Sequence, residues 1–166
     1  MELHTDRLVI RNAEIIDAPF FLKLMNTETW IEHIGDRSIH DHKDAINYIE
    51  SSLITSHQQN GFALDVMTLN KAPIGICGLI KRDYLEYPDL GFALLPEYTG
   101  NGFIQEAGTA VLHSAFEKLE LFKVFAITSL ENHRSQATLM NLGFEEFNSI
   151  KTPENQEVLL FEKQKK

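Results

Sequence analysis

One stretch of the sequence decides the fold: LGFALLPEYTGNGFIQEA, which runs from Leu90 to Ala107. Its apolar run stops at Pro96, as is typical of a buried strand. A short turn with Gly100 and Gly102 follows, and from Phe103 onward the apolar residues recur at helical spacing. The stretch therefore predicts a strand, a glycine turn and a helix in immediate succession. The first amide groups of such a helix are unpaired and point at one spot, which attracts a phosphate.

The composition is that of one globular domain spanning residues 1–166. The formal net charge of -9, without a dense Lys/Arg cluster before the last few residues, argues against a nucleic-acid partner. No apolar run approaches the roughly 18–20 residues of a membrane span, and a signal-peptide pattern is absent, so we expect a cytoplasmic protein without a membrane partner. The single cysteine, Cys77, lies in an apolar run and is expected to be an inert core thiol.

Periodicity elsewhere in the chain predicts a mixed α/β sheet with helices on its faces. Short links between the strands predicted from residues 62 to 95 favour an antiparallel meander. The strands 89–95 and 124–128 are joined by a helix, so they should be parallel neighbours. The segment from Trp30 to Ile39 has no clean period and is predicted to be a loop. The predicted strands are 8–10, 62–69, 74–80, 89–95, 124–128, 144–150 and 158–161, and the helices begin at Asp17, at Ser38 or Asp41, at Phe103 and at Asn132.

Two short motifs fall at one crevice of this sheet. The glycine turn alone is weak evidence for phosphate binding, because tight turns also use glycine simply for its positive φ. A dinucleotide fingerprint would require glycine where Gln105 stands, which disfavours a flavin or dinucleotide module. Asn132 and Ser135 are residue types that cap helices, but they also follow the strand predicted to lie beside 89–95. Open α/β sheets bind ligands at such places.

Three motifs in order resemble a known family. The stretch GFALLPEYTGNGFIQEA ending at Ala107, the pair Asn132 and Ser135, and the triplet LGF ending at Phe144 together resemble the GNAT superfamily of acyl-CoA N-acyltransferases. The opening TDRLVIR, from Thr5 to Arg11, resembles the branch of the RimJ/RimL ribosomal-protein N-terminal acetyltransferases, so the likeness covers nearly the whole chain. It implies the GNAT fold, an α/β fold whose mixed, mostly antiparallel sheet of about six to seven strands has a splayed parallel pair and about four flanking helices.

The resemblance implies acetyl-CoA as cosubstrate and no metal. In the family, the backbone of the fourth strand pairs with the pantetheine arm, and the Asn after the fifth strand, here Asn132, hydrogen-bonds it. The fourth-strand positions map onto Ala93, Leu94 and Leu95. The glycine turn binds the pyrophosphate through backbone amides and maps onto Thr99, Gly100, Asn101, Gly102, Phe103 and Ile104. The family pattern Arg/Gln-x-x-Gly-x-Gly/Ala has Thr99 in place of the arginine and Ile104 in place of the small residue.

The resemblance also implies direct attack of an amine on the thioester within a ternary complex. The amine must lose a proton and the departing thiolate must gain one. Many family members use a Tyr as the general acid, and this chain has Leu139 at that position. We therefore expect Ser135 to be the acid. The alternative is that Ser135 only caps a helix. Asp89 and Glu86 are the candidate bases, the alternatives being a salt-bridge role for Asp89 and a water chain. A backbone amide near Ala93 would hold the oxyanion.

The expected function is acetyl transfer to a primary amine of a protein N-terminus or a small molecule. The alternative from another class is a catalytically silent domain that binds acyl-CoA. The net negative charge fits a cationic acceptor, and both a monomer and a homodimer remain open. A metal site at His40, Asp41 and His42 is disfavoured because this segment opens a helix. Four residues are expected either to flank the acceptor pocket or to cover the core, namely Trp30, Glu32, His33 and Tyr84.

Overall fold

A computed structural model describes residues 2–166, which form one mixed sheet with helices on both faces. The strand order is β1-β2-β3-β4-β5-β6-β8-β7, and every neighbouring pair is antiparallel except β5 and β6. The predicted fold class is therefore confirmed, with eight strands in the described residues. The strands are β1 Leu3–His4, β2 Leu8–Arg11, β3 Leu64–Leu69, β4 Ala72–Ile80, β5 Asp89–Leu94, β6 Lys123–Ser129, β7 Glu145–Lys151 and β8 Glu157–Gln164.

Helices fill the connections that the sequence predicts, with one addition. A continuous helical rod comprises α3, a π-helical segment at Ile49–Ile54, and α4. It ends at Gly61, whose φ of 80° provides the left-handed C-terminal residue. The helices are α1 Ala18–Leu24, α2 Glu28–His33, α3 His42–Tyr48, α4 Thr55–Asn60, α5 Phe103–Glu117 and α6 His133–Asn141.

Two short elements correct the sequence prediction. The loop predicted from Trp30 to Ile39 is wrong at its start, because α2 covers Glu28–His33. Thr27 caps this helix by accepting a hydrogen bond from the Trp30 amide, and the Trp30 side chain is buried. A helix of six residues is too short to display a helical period. Strand β1 has only two residues, which is too short to show the alternation typical of a strand.

Two apolar cores lie on opposite faces of the sheet. Side chains alternate along a strand, so Leu90 and Phe92 of β5 join the core under α5, whereas Ala93 and Leu95 join the core under α1 and α3. Cys77 of β4 lies fully buried in the α5-side core, and burial raises the pKa of its thiol. The expectation of a buried core thiol is thus confirmed.

The strands β5 and β6 meet at one point and then part. Their single register pair is Asp89 with Phe125, where the Phe125 amide donates to the Pro88 carbonyl at 2.9 Å. Farther along, the Leu95 amide donates to the Ile74 carbonyl on the β4 side, also at 2.9 Å. Backbone groups alternate sides along a strand, so the amides of Phe92 and Leu94 face the gap towards β6. The predicted splayed parallel pair is confirmed, and it presents a free backbone edge.

Candidate active site

The gap between β5 and β6 opens into a cleft of about 1490 Å³. This is larger than the roughly 300–1,000 Å³ of most small-ligand pockets, as suits a long ligand. One wall is formed by β5, the glycine turn after it and the start of α5. The opposite wall is formed by the end of β6 and the start of α6, and the far end is lined by α2, α4 and the link between β4 and β5.

Most of the residues mapped to cofactor binding line this cleft. Two of them do not: Leu95, which is buried in the core under α1, and Asn101, whose side chain donates to the carbonyls of Tyr98 and Thr99. These two residues shape the strand end and the turn instead of facing the cleft. Those that line the cleft are Ala93, Leu94, Thr99, Gly100, Gly102, Phe103, Ile104 and Asn132.

The register of β5 refines the mapping along the strand. Ala93 pairs with Ile76 of β4, on the same side as the Leu95 bond to Ile74, so its amide is turned away from the gap. The backbone groups that face the gap belong to Phe92 and Leu94. The amides that face the gap are thus those of Phe92 and Leu94, and the Ala93 amide is not among them.

The glycine turn leaves the N-terminus of α5 open. Gly100 and Gly102 have φ of 83° and 79°, a region that favours glycine. Gly102 is the residue before the helix, and no side chain caps the amides that follow it. The Thr99 hydroxyl donates to the Pro96 carbonyl at 2.8 Å, and Ile104 packs against the α5-side core. Thr99 and Ile104, the two departures from the family pattern, therefore leave the first amides of α5 without a side-chain cap.

Asn132 and Ser135 meet at the start of α6. The Asn132 Oδ1 accepts a hydrogen bond from the Ser135 backbone amide at 3.2 Å, so Asn132 is the N-cap of α6, and the alternative that Ser135 itself caps the helix is wrong. This bond does not use the Ser135 hydroxyl, and Ser135 is half-buried and lines the cleft. Leu139 lies one turn further along α6, almost fully buried. Capping and a second role for the Ser135 hydroxyl are therefore compatible.

The two candidate bases have different surroundings. Asp89 lines the cleft at the point where β5 and β6 part, and it is 1% exposed. Arg82 Nε donates to its Oδ1 at 2.8 Å, as the salt-bridge alternative anticipated. Burial raises the pKa of Asp89, while the Arg82 guanidinium acts in the opposite direction. Glu86 is exposed in the link before β5 and lies outside the cleft wall.

A family model described as Acetyltransferase (GNAT) domain matches residues 7–145, which is most of the chain. The chain belongs to the GNAT acetyltransferase family. A curated relative, the uncharacterized N-acetyltransferase YoaA of Bacillus subtilis, is 22% identical over 147 residues that cover 86% of this chain and 82% of the relative.

Solved structures share the GNAT fold over nearly the full chain. An acetyltransferase from Agrobacterium tumefaciens superposes with a TM-score of 0.85 at 21% identity, covering 99% of this chain and 95% of that one. The ribosomal-protein alpha-N-acetyltransferase RimL, solved in complex with coenzyme A, superposes with a TM-score of 0.87 at 13% identity, covering 99% and 98%. The resemblance to the RimJ/RimL-like branch thus extends to the fold.

The far end of the GNAT cleft is lined by aromatic and basic side chains. Trp30, His33 and Tyr84 all line it, and Trp30 also packs into the core under α1, whereas Glu32 is exposed beside His33. His33 lies on α2, and its Nδ1 is 3.4 Å from the Ser129 Oγ at the end of β6. Tyr48 at the end of α3 also lines the cleft, and the sequence did not predict this because it shows only that Tyr48 lies in a helix. Burial raises the pKa of Tyr48, and Arg37 and Arg82 act in the opposite direction.

A carboxylate in the first turn of α5 binds the N-terminal segment, and the sequence did not predict this contact. Glu106 accepts hydrogen bonds from the Thr5 hydroxyl at 2.6 Å and from the Arg7 amide at 2.8 Å. Arg7 Nε also donates to Glu106 Oε2 at 2.7 Å. Burial alone would raise the pKa of Glu106, but these bonds outweigh it and hold the pKa below its ordinary value. The contacts join residues about a hundred positions apart, so no local pattern signals them.

Neither a metal cluster nor a spanning helix occurs in the part of the chain that the structure describes. No three His, Cys, Asp or Glu side chains within residues 2–166 are placed to hold a metal ion. Asp41 caps α3 by accepting from the Asp44 amide at 2.7 Å, and both neighbouring histidines are exposed. Among the same residues, none of the helices has the length and apolar character needed to cross a membrane.

Proposed function

We propose that this GNAT domain is an N-acetyltransferase that moves an acetyl group from acetyl-CoA to a primary amine. The amine belongs to a protein N-terminus or a small molecule and attacks directly within a ternary complex. One observation carries the proposal: the free edge of β5 runs along a single cleft into the uncapped N-terminus of α5. The amide-bearing pantetheine arm can pair with a strand edge, and a pyrophosphate suits open helix amides. RimL, which shares the fold, was solved with coenzyme A.

The residues along the cleft fit this cosubstrate. Phe92 and Leu94 offer the backbone groups for the pantetheine arm, while Ala93 and Leu95 hold β5 in place through β4. Asn132 uses its Oδ1 for the cap, which leaves its amide nitrogen to donate to the same arm. The turn residues from Gly100 to Ile104 hold the pyrophosphate through their amides, whereas the Thr99 amide already donates to the Pro96 carbonyl at 3.2 Å, so Thr99 drops out of the mapped set. No metal takes part in this proposal.

Proton transfer is assigned to two residues of the cleft. Acetyl-CoA supplies the thioester carbonyl that the amine attacks. Asp89 accepts the proton that the amine loses, since its burial makes the carboxylate a better base than an exposed one. The Ser135 hydroxyl donates a proton to the departing thiolate, and the amide of Phe92 or Leu94 faces the developing oxyanion. Glu86, being exposed, would serve as the outer end of a water chain.

Thiol release from acetyl-CoA over a panel of amines and N-terminal peptides tests this function. Cationic acceptors should lead the panel, because the net charge of -9 attracts them. We expect acetyl-CoA and coenzyme A, but not NAD, to raise the melting temperature, and at least one acceptor to be turned over. Binding without turnover across the whole panel would favour the silent acyl-CoA domain, which Leu139 at the place of the family's Tyr supports. Absence of binding would contradict both.

A further inference from the structure

The glycine turn contains no basic residue of its own. The segment PEYTGNGFIQ from Pro96 to Gln105 carries one acidic side chain, Glu97, and Glu106 follows it directly. At the position of the family's arginine, the Thr99 hydroxyl is engaged by the Pro96 carbonyl. A pyrophosphate at this turn would thus meet amide dipoles but no positive charge from the turn. Charge-assisted hydrogen bonds are about twice as strong as neutral ones, so a cation from elsewhere would matter.

Arg7 places a cation at this turn from the other end of the chain. A Cβ atom built on Gly102 would lie 3.5 Å from the Arg7 Nη2, and Gly102 is the residue that opens α5. The guanidinium carbon lies 4.4 Å from the Phe103 ring centroid, and Nε is held by Glu106. The guanidinium is therefore fixed on two sides with its Nη2 edge towards the turn. The Arg7 side chain is 44% exposed and lies next to the cleft-lining residue Gly102, although it does not itself line the cleft.

We propose that Arg7 is a phosphate-binding residue, whose guanidinium supplies the positive charge for the pyrophosphate of coenzyme A that Thr99 cannot supply. The proposal rests on the proposed function, because it presumes that the turn holds coenzyme A. Glu106 occupies Nε and leaves the Nη groups free to donate to an oxyanion, while its own negative charge beside the turn opposes an anionic ligand. The alternative role for Arg7 is purely structural, as the clamp that ties the N-terminal segment to α5.

Two variants that break the same ion pair separate these roles. Arg7→Gln removes the positive charge, whereas Glu106→Gln removes the negative charge of the pair but keeps the guanidinium beside Gly102. Binding is measured by calorimetry with coenzyme A, 3′-dephospho-coenzyme A and pantetheine, and folding by thermal denaturation. Both variants should lose similar stability. R7Q should bind the first two ligands about tenfold more weakly or worse, as expected for one charged hydrogen bond, and pantetheine as the wild type does. E106Q should bind all three at least as tightly as the wild type.

The other outcomes overturn the proposal in distinguishable ways. Equal losses in R7Q and E106Q across all three ligands would show a structural clamp. A loss in R7Q confined to coenzyme A would place Arg7 at the 3′-phosphate instead of the pyrophosphate. Should R7Q fail to fold, weakened coenzyme A binding by E106Q would contradict the proposal. If the wild type binds none of the ligands, the proposed function itself is wrong.

Discussion

At the scale of single residues, removal of the Ser135 hydroxyl tests its role in catalysis without disturbing the cap of α6. The Ser135→Ala variant keeps the backbone amide that donates to Asn132, so we expect its stability to be nearly unchanged. Its turnover should fall by about a hundredfold, at the lower end of general acid–base contributions, because a thiolate is a good leaving group. Steady-state kinetics with acetyl-CoA and thermal denaturation check this.

The matched control is Asn132→Ala, which removes the cap itself. This variant should lose about 1 kcal/mol of stability, as is usual for an N-cap. Unchanged turnover in S135A, with its stability also unchanged, would show that the Ser135 hydroxyl takes no part in the reaction.

The pH profile reports on Asp89. Because burial raises the pKa of this carboxyl, the acid limb of kcat/KM should lie above the ordinary Asp value of about 3.9. The Asp89→Asn variant should lose this limb together with most of the activity. A profile that is the same in D89N and the wild type would assign proton removal to a water chain instead.

The pKa of Glu106 is shifted in the opposite direction to that of Asp89, and this shift predicts how stability depends on pH. Its pKa is lowered by folding, so its contribution is fully present above the ordinary Glu value of about 4.3 and is lost as the pH falls through the folded pKa. The stability difference between the wild type and E106Q should therefore be largest near neutral pH and shrink in acid. Denaturant unfolding from neutral pH to below 4 measures it, and a difference independent of pH would contradict the contacts at Glu106.

At the scale of elements, the free edge of β5 has a definite register. Exchange of individual amide hydrogens, followed by NMR, should be fast at Phe92 and Leu94 in the free protein and slow at Leu95, which is bonded to β4. Coenzyme A should slow exchange at Phe92 and Leu94. Slowing at Ala93 alone would show that β5 pairs in a different register.

Strand β4 passes too close to residue 63 to admit a side chain. A Cβ atom on Gly78 would collide with the Ala63 carbonyl oxygen and lie 2.8 Å from the Leu64 Cα, and neither backbone atom can easily yield. Gly78→Ala should therefore cost about 1–3 kcal/mol of stability, as overpacking does. Denaturant unfolding checks this, and a loss below about 0.5 kcal/mol would show that the backbone adjusts.

The sequence predicts elements well where the pattern is local. The strand, turn and helix between residues 89 and 117 follow from one continuous stretch, and the same stretch contains most of the cofactor site. Helix α2 escaped prediction because six residues show no period. The register that turns Phe92 and Leu94 to the gap depends on β4, and the contact of Arg7 with Glu106 spans 99 positions. Such contacts are set by tertiary packing, which a local pattern does not report.

At the scale of the whole molecule, two cores hold the sheet from both faces and leave the split between β5 and β6 open. The Arg82–Asp89 pair lies at the point where β5 and β6 part, and the carboxylate of this part-buried contact lines the cleft. The chain as a whole carries a formal net charge of -9, which favours a cationic acceptor through its long-range field. Rising salt should therefore weaken acceptor binding, because screening acts on this field.

The central claim is direct acetyl transfer, and following an isotopically labelled acetyl group tests it most directly. After incubation of the protein with labelled acetyl-CoA and a cationic amine, mass spectrometry locates the label. The account predicts label on the amine, none on the protein, and transfer that is much slower in S135A. Label bound to the protein itself, or label that stays on coenzyme A with every amine offered, would contradict it.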